Sequence, residues 1–186
     1  MGDMTDAPLD LRAFRRALGS YATGVTIITT HTAQGAHTGV TVNSFTSVSL
    51  EPPLVLFCLS VRSSLITAFA QTNHFAVNVL AINHQTVSKQ FAKPSANTWD
   101  GVQFRVGACG CALLSDALAT FECARHGVYP CGDHVILVGR VICFEVAGAA
   151  EPLAFWRGTY GTFVGDQSAG APGTDAASGE FVSYWG

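Results

Sequence analysis

The 186-residue chain is short of charge. Asp, Glu, Lys and Arg make up 12% of it, where about a quarter is usual for a soluble domain. Lysine occurs only at Lys89 and Lys93, and the formal net charge is −3. A basic stripe able to neutralise a phosphate backbone is therefore missing, and nucleic acid is not an expected partner. No uninterrupted apolar run approaches the roughly 20 residues that cross a bilayer, so no membrane partner is expected. The opening "MGDMTDAPLDLRAF" carries acidic residues and lacks the apolar core of a signal peptide, and the chain reads as cytoplasmic. There is no G-x-G-x-x-G after a strand, no P-loop and no G-x-S-x-G elbow. The histidines are scattered and form no Ser/His/Asp set. If the chain is an enzyme, a cofactor carries the hard chemistry.

What is present is apolar surface: 48% of the residues are hydrophobic. A monomer of this size has too few charges to cover itself, which points to burial against a second copy, a homodimer. Six cysteines in a reducing compartment are not expected to be a disulfide framework. Cys58 and Cys143 lie in apolar runs, where a thiol acts as a small hydrophobe. Cys123, His126, Cys131 and His134 form two C-x2-H pairs four residues apart. That spacing allows a zinc tetrad; it also suits a strand, a turn and a second strand with no metal.

Asp10 can cap a helix whose apolar positions Leu11, Phe14, Leu18 and Tyr21 recur at three- and four-residue intervals, with Gly24 as its stop. "VTIITT", the stretch from Thr38, "LVLFCL" and "FAVNVL" read as strands. "VRSSLITAFAQ" reads as a short helix capped by Ser63 or Ser64, and "NHQTVSKQFAK" as another. "LATFECARHG" and "HVILVGRVICFEV" read as strands joined by a "VYPCGD" loop. The Gly-, Ala- and Ser-rich residues 165–186 read as a flexible tail, whose apolar end "FVSYWG" could dock, after a single domain at 1–164. Strands predominate without βα alternation, which favours an antiparallel barrel with a few flanking helices over a doubly wound sheet.

Thr41 to Ser49 contains five hydroxyl side chains and one amide. Such short donors and acceptors can edge a flat heterocycle; they can equally bond their own backbone. "VRSSL" offers a charge, two hydroxyls and helix-opening N–H groups to an anion, or simply a cap with a solvated Arg62. Taken together, a ring-edge site and a phosphate site about twenty residues apart point to a phosphorylated aromatic cofactor.

"FRRALGSYATGVTIIT", "GVTVNSFTSVSLEPPLVLFCLS", "FAVNVLAINHQTVSKQFA", "ALATFECARH", "GDHVILVGRV" and "LAFWRGTYGTF" occur in an order that resembles the short-chain flavin reductases. These are the reductase components of two-component flavin-dependent monooxygenases. The resemblance covers about Phe14 to Phe163. It implies a mainly β fold, a six-stranded antiparallel split β-barrel with a few flanking helices, dimeric, with FMN or FAD near the dimer interface. It also implies NADH or NADPH as co-substrate, with hydride passing from nicotinamide C4 to flavin N5 and reduced flavin going to a separate monooxygenase.

Carried over by the resemblance, Thr41, Asn43 and Ser44 touch the ring or ribityl chain. Cys58, Leu59 and Ser60 flank the ring, Ser63 and Ser64 hold phosphate, and Gln90 and Phe91 border the cofactor. Gly132, Asp133 and His134 form the G-D-H motif, with His134 beside the nicotinamide as the candidate catalytic residue. Phe155, Trp156, Arg157, Gly158 and Tyr160 lie on the nicotinamide nucleotide side. Two departures stand out: Asn97, Thr98 and Trp99 replace an Asp-Arg-Phe run, and Cys111 stands where proline is common. The competing readings are a flavoprotein of the same architecture that retains its flavin for other redox work, and a non-enzymatic flavin- or zinc-binding dimeric module.

Overall fold

Asp10 sets the first element. Its carboxylate accepts the N–H groups of Arg12 at 2.8 Å and Ala13 at 3.2 Å, capping α1 (Leu11–Leu18) as a short acidic side chain does at a helix start. The computed structural model describes residues 9–147 and 150–164. The expected tail at 165–186 and its "FVSYWG" end lie outside the described residues. The helix stops at Gly19, ahead of the expected Gly24, and its recurring apolar positions Leu11, Phe14 and Leu18 are exposed, as is Tyr21 just beyond it. The reason is that the strands fill the core with their own side chains, so α1 lies outside it with no buried residue.

Among the described residues, twelve strands and two further α-helices follow α1 as β1 (Thr23–Gly24), β2 (Thr26–His31), β3 (His37–Val42), β4 (Thr46–Leu50), β5 (Pro53–Ser60), α2 (Ile66–Gln71), β6 (His74–Val79), α3 (Gln85–Ala92), β7 (Phe104–Val106), β8 (Ala112–Leu114), β9 (Ala119–Cys131), β10 (His134–Val146), β11 (Ala154–Trp156) and β12 (Thr159–Gly161). The fold is mainly β with few helices. Where six barrel strands were expected, the principal sheet has seven, in the order β3-β2-β6-β9-β10-β5-β4, and every pair in it is antiparallel. Small sheets β1-β11-β12 and β7-β8 attach to it. Its outermost strands β3 and β4 do not pair with each other. Even so, Val40 of β3, Ile28 of β2, Phe75 and Val77 of β6, Leu137 of β10 and Phe57 of β5 share one buried cluster. Strands from both flanks meet there, so the sheet curls around one core. Phe57 anchors it, edge-on to Phe69 at 5.6 Å and to Phe75 at 5.2 Å, a geometry that aromatic quadrupoles favour.

The expected "VYPCGD" loop is strand. β9 runs to Cys131, and only Gly132 and Asp133 separate it from β10, with Cys131 opposite His134. Gly132 has φ +61°, as a two-residue turn with glycine in its first central position requires. Pro130 reads as a breaker, but β6 pairs with β9 only up to Ala124. Past that point one side of β9 is an edge, where a missing N–H costs no ladder bond. The second helix also differs from expectation. It starts at Ile66 with Leu65 at the cap, while the Ser63 hydroxyl accepts the Leu65 N–H at 3.2 Å just before it.

Candidate functional site

A cleft of about 710 Å³ opens between the end of α1, β1, the β3–β4 turn and β11. Leu18, Tyr21, Phe45 and Phe155 supply apolar wall, and Thr23, Asn43, Ser44 and Arg157 supply polar edge. A second hollow of about 190 Å³ adjoins it, lined by Thr41, Asn43, Phe155 and Tyr160 among others. The pairing that builds this wall is local: Thr23 lies opposite Phe155, and Phe155 opposite Tyr160. The two rings pack edge-on at 5.3 Å. Ser88 on α3 then locks two walls together. Its carbonyl accepts the Thr41 hydroxyl at 2.7 Å, and its own hydroxyl lies 2.9 Å from the Tyr160 oxygen. The Thr23 hydroxyl in the cleft wall is buried and has no hydrogen-bond partner among the described residues.

Of the residues expected at the site, Thr41, Asn43, Ser44, Phe155, Arg157 and Tyr160 come together around these two hollows. Ser44 is already engaged: its hydroxyl accepts the Cys58 N–H at 2.9 Å and donates to the Cys58 carbonyl at 3.3 Å. It staples the β3–β4 turn to β5 and holds Cys58 close behind the cleft. Burial pushes the Cys58 thiol up, and the nearby Cys131 adds to this against the Ser44 hydrogen bond. Cys58 is thus a neutral thiol there. Leu59 is buried, and Ser60 accepts the Arg62 N–H at 3.2 Å. Ser64 lines a separate hollow of about 270 Å³ with Thr38, Ser95 and Thr98.

Other expected site residues hold structure. Phe91 is fully buried and edge-on to Trp99 at 4.9 Å, so its ring has no surface to offer a ligand. Gln90 donates to the Asp100 carbonyl at 3.0 Å and to that of Asn97 at 3.4 Å. It thereby pins the loop that departs from the family pattern. Trp156 donates to the Ser20 carbonyl at 3.1 Å, and Gly158, with φ +80°, completes the β11–β12 turn. His134 lies opposite Ser60 on β5, with its Nδ1 2.7 Å from the Asp133 carboxylate. That hydrogen bond and the imidazole charge hold Asp133 below the usual carboxylate range. Within one chain His134 belongs to this sheet end and lines none of the hollows described above.

The four residues of the possible zinc tetrad do not converge. Cys123 and Cys131 are eight residues apart on one extended strand, roughly 26 Å at the usual rise. Cys123 is fully buried, and burial pushes its thiol up to about 12. Among the described residues no three His, Cys, Asp or Glu side chains are grouped to hold a metal ion.

Sequence reasoning missed Tyr21, Thr23 and Phe45, which build cleft wall, and Arg15 and Arg16 beside it. The adjacent arginines at a helix end were a visible signal. The wall residues gave none, because only the β1–β11 pairing brings them together.

The cleft thus sets apolar walls against a polar edge beside a curled antiparallel sheet. Comparison with known proteins identifies the family. The flavin reductase like domain family matches residues 18–163, and the chain belongs to that family. It is 44% identical over 159 residues to a probable flavin reductase of Rhizobium meliloti, covering 86% of this chain and 51% of that protein. It is 40% identical to the FMN reductase (NADH) SmoA of Agrobacterium fabrum, covering 82% of this chain and 86% of that one. The structure of the NADH:FAD oxidoreductase SgcE6 of Streptomyces globisporus, in complex with NAD and FAD fragments, superposes with a TM-score of 0.80 at 36% identity, covering 86% of this chain and 99% of that one. The chain spans about half the length of the Rhizobium relative, and 65% of a second from that organism, a stachydrine N-demethylase reductase subunit.

Proposed function

We propose that the protein is an NAD(P)H-dependent flavin reductase. It oxidises NADH or NADPH, reduces FMN or FAD, and supplies reduced flavin to a separate monooxygenase in the cytoplasm. The observation that carries this is the cleft of about 710 Å³, with Tyr21, Phe45 and Phe155 as apolar wall and Asn43 and Thr23 at its edge. Its volume lies within the range of small-molecule sites. A flavin ring has apolar faces and a hydrogen-bonding rim, and the buried Thr23 hydroxyl is without a partner among the described residues, so the residues fit such a ring. The names of relatives support the reading. Besides the FMN reductase and the NADH:FAD oxidoreductase, the chain is 36% identical to the reductase subunit HsaB of a flavin-dependent monooxygenase in Rhodococcus jostii, over 94% of this chain and 89% of that one.

Bound flavin supplies a two-electron acceptor, and bound nicotinamide the hydride. The chain's task is alignment, because holding two rings in contact removes much of the entropic barrier. Phe155 and Tyr160 brace each other edge-on, and Ser88 fixes Tyr160 and Thr41, so that wall is rigid before a ligand arrives. Asn43 sits where the two hollows meet, placed to bond a ring edge. Ser63 and Ser64 bind the flavin phosphate in this reading. His134, with Asp133 orienting its Nδ1, bonds the nicotinamide amide.

The finer architecture belongs to the same reading. The curled sheet is the split barrel, and two copies form the working unit. The exposed Leu11, Phe14 and Leu18 of α1 and Phe144 and Val146 of β10 give such a dimer apolar surface to cover. A second copy also gives His134 a route to the cleft that its own chain does not. The test is to add NADH and excess FMN to pure protein and follow the NADH absorbance. Consumption that scales with free flavin is expected. A tightly held flavin that turns over only with some other acceptor overturns the reading.

A further inference from the structure

Beside the cleft lies a second cavity of about 700 Å³ whose lining includes Arg15, Arg16 and Arg157. We propose that these three arginines form a phosphate-binding pocket that takes the anionic middle or end of a dinucleotide whose flat ring lies in the cleft. The ligand's identity as a redox dinucleotide rests on the proposed function; the anion site rests on the geometry.

Arg15 and Arg16 close the last turn of α1, a position that favours cations on any helix. Alone they would be an ordinary basic surface. Arg157 changes that. It and Gly158 are the only residues between β11 and β12, with Trp156 opposite Thr159, and their φ angles are +48° and +80°. A two-residue turn with both φ positive favours Asn-Gly, because a Cβ is strained in that region. Here the strained place is taken by a long cationic side chain. Local strain of this kind is the mark of a position kept for function rather than for folding.

The turn is also anchored toward α1. The Arg157 N–H donates to the Gly19 carbonyl at 3.0 Å, and Trp156 donates to the Ser20 carbonyl at 3.1 Å. The Arg157 guanidinium lies 4.5 Å over the Trp156 ring. This brings three arginines to the lining of one cavity, which among the described residues holds no carboxylate. The ion pairs found among the described residues, Arg105–Glu145 and His134–Asp133, include none of the three. Like charges gathered without a counter-charge favour a multivalent anion, and the guanidinium fork matches phosphate oxygens. Arg157 and Gly19 line both this cavity and the cleft. The two hollows therefore adjoin at Arg157, and a ligand with its ring against Phe155 extends past that residue toward Arg15 and Arg16.

The test uses Arg157→Asn, which suits the turn, and a double variant, Arg15→Ala with Arg16→Ala. Titration of the full-length protein with ADP by calorimetry reads the anion site without any redox step. Expected are ADP binding by the wild type, at least tenfold weaker binding by both variants, and a melting temperature for Arg157→Asn equal to or above wild type. Steady-state arms then identify the source. KM rising for NADH and NADPH alike assigns the nicotinamide dinucleotide's pyrophosphate, and for NADPH alone its 2′-phosphate. KM rising for FAD but not FMN assigns the flavin's pyrophosphate. Absence of ADP binding by the wild type, or unchanged ADP affinity in both variants, overturns the proposal. If the wild type consumes no NADH with any flavin, the reductase reading fails while the ADP titration still decides the pocket.

Discussion

Asn78 and Asn43 carry the same amide in opposite settings. Asn78, on the interior strand β6, is fully buried and donates to the Ile27 carbonyl at 3.1 Å while accepting the Leu114 N–H at 2.8 Å. Asn43 stands exposed where two hollows meet. Two glycines repeat the contrast. A Cβ on Gly139 would lie 2.3 Å from the Phe75 ring and 2.9 Å from the Cys123 Cβ, whereas one on Gly24, in the cleft wall, would meet nothing within 4 Å. So do two charges. Glu122 is enclosed, with the Cys109 N–H at 2.7 Å from its carboxylate, while Arg157 faces an open cavity. Inside the sheet Asn78 and Glu122 have structural duties, and around the cleft Asn43 and Arg157 are left for something else. Stability and binding should therefore separate cleanly between the two regions.

The largest break of that contrast is Asn78→Ala. It leaves the Leu114 N–H and the Ile27 carbonyl without the amide in a dry core. Unsatisfied buried groups cost about 1–3 kcal/mol each, so a loss of about 2–5 kcal/mol is expected in urea unfolding. Next is Gly139→Ala, which forces Phe75 or the β9–β10 pair to shift and is expected to cost about 1–3 kcal/mol, the usual range for overpacking. Its counterpart Gly24→Ala should leave stability within about 0.5 kcal/mol, as surface changes do, yet weaken flavin binding by placing a methyl in the cleft. A Gly24→Ala protein that binds flavin as wild type does would move the ring site elsewhere.

Glu122 sharpens the comparison through pH. Burial alone would raise its pKa, but the Cys109 thiol, the N–H groups of Cys109 and Ala108, and the charge of Arg105 together hold it below the usual carboxylate range. A folded pKa below the unfolded one, about 4.3 for Glu, means stability that is complete above that value and lost as pH falls through the folded pKa. Wild type should therefore exceed Glu122→Gln in melting temperature at neutral pH, with the gap narrowing in acid. A gap that widens on acidification would place the carboxylate in a different environment.

Much of this contrast was legible in the chain. The mainly β class, the strands "VTIITT" and "LVLFCL", and the gathering of Thr41, Asn43 and Phe155 follow from residue type and ordered resemblance. The rest depends on pairing that no local pattern carries. Period alone picked out Leu11, Phe14 and Leu18 as recurring apolar positions, but it shows that a face is apolar and not what covers it. Pro130 hid four strand residues, since only the end of the β6 pairing makes proline harmless there. Ser44 looked like a ligand group until its place opposite Cys58 gave its hydroxyl two backbone partners. Arg157 was expected on the nicotinamide nucleotide side, but only the fold shows that the β11–β12 turn carries it beside Arg15 and Arg16.

The smallest expected effect is the one that tests the open side directly. Asn43→Ala removes an exposed amide, and its effect on unfolding should stay within about 0.5 kcal/mol. If the amide bonds a flavin edge, the loss is one ordinary hydrogen bond, about 0.5–1.5 kcal/mol, or roughly a 2- to 13-fold rise in flavin Kd. Flavin fluorescence quenching measures that Kd, and urea unfolding checks that the fold is intact. The separation of the two readouts is the point, because Asn78→Ala must show the opposite pattern: a large loss of stability, with unchanged flavin affinity in the molecules that remain folded. An Asn43→Ala variant with lowered stability and wild-type Kd would put Asn43 with Asn78, as a turn residue of the sheet, and would leave Thr23 as the polar edge of the cleft.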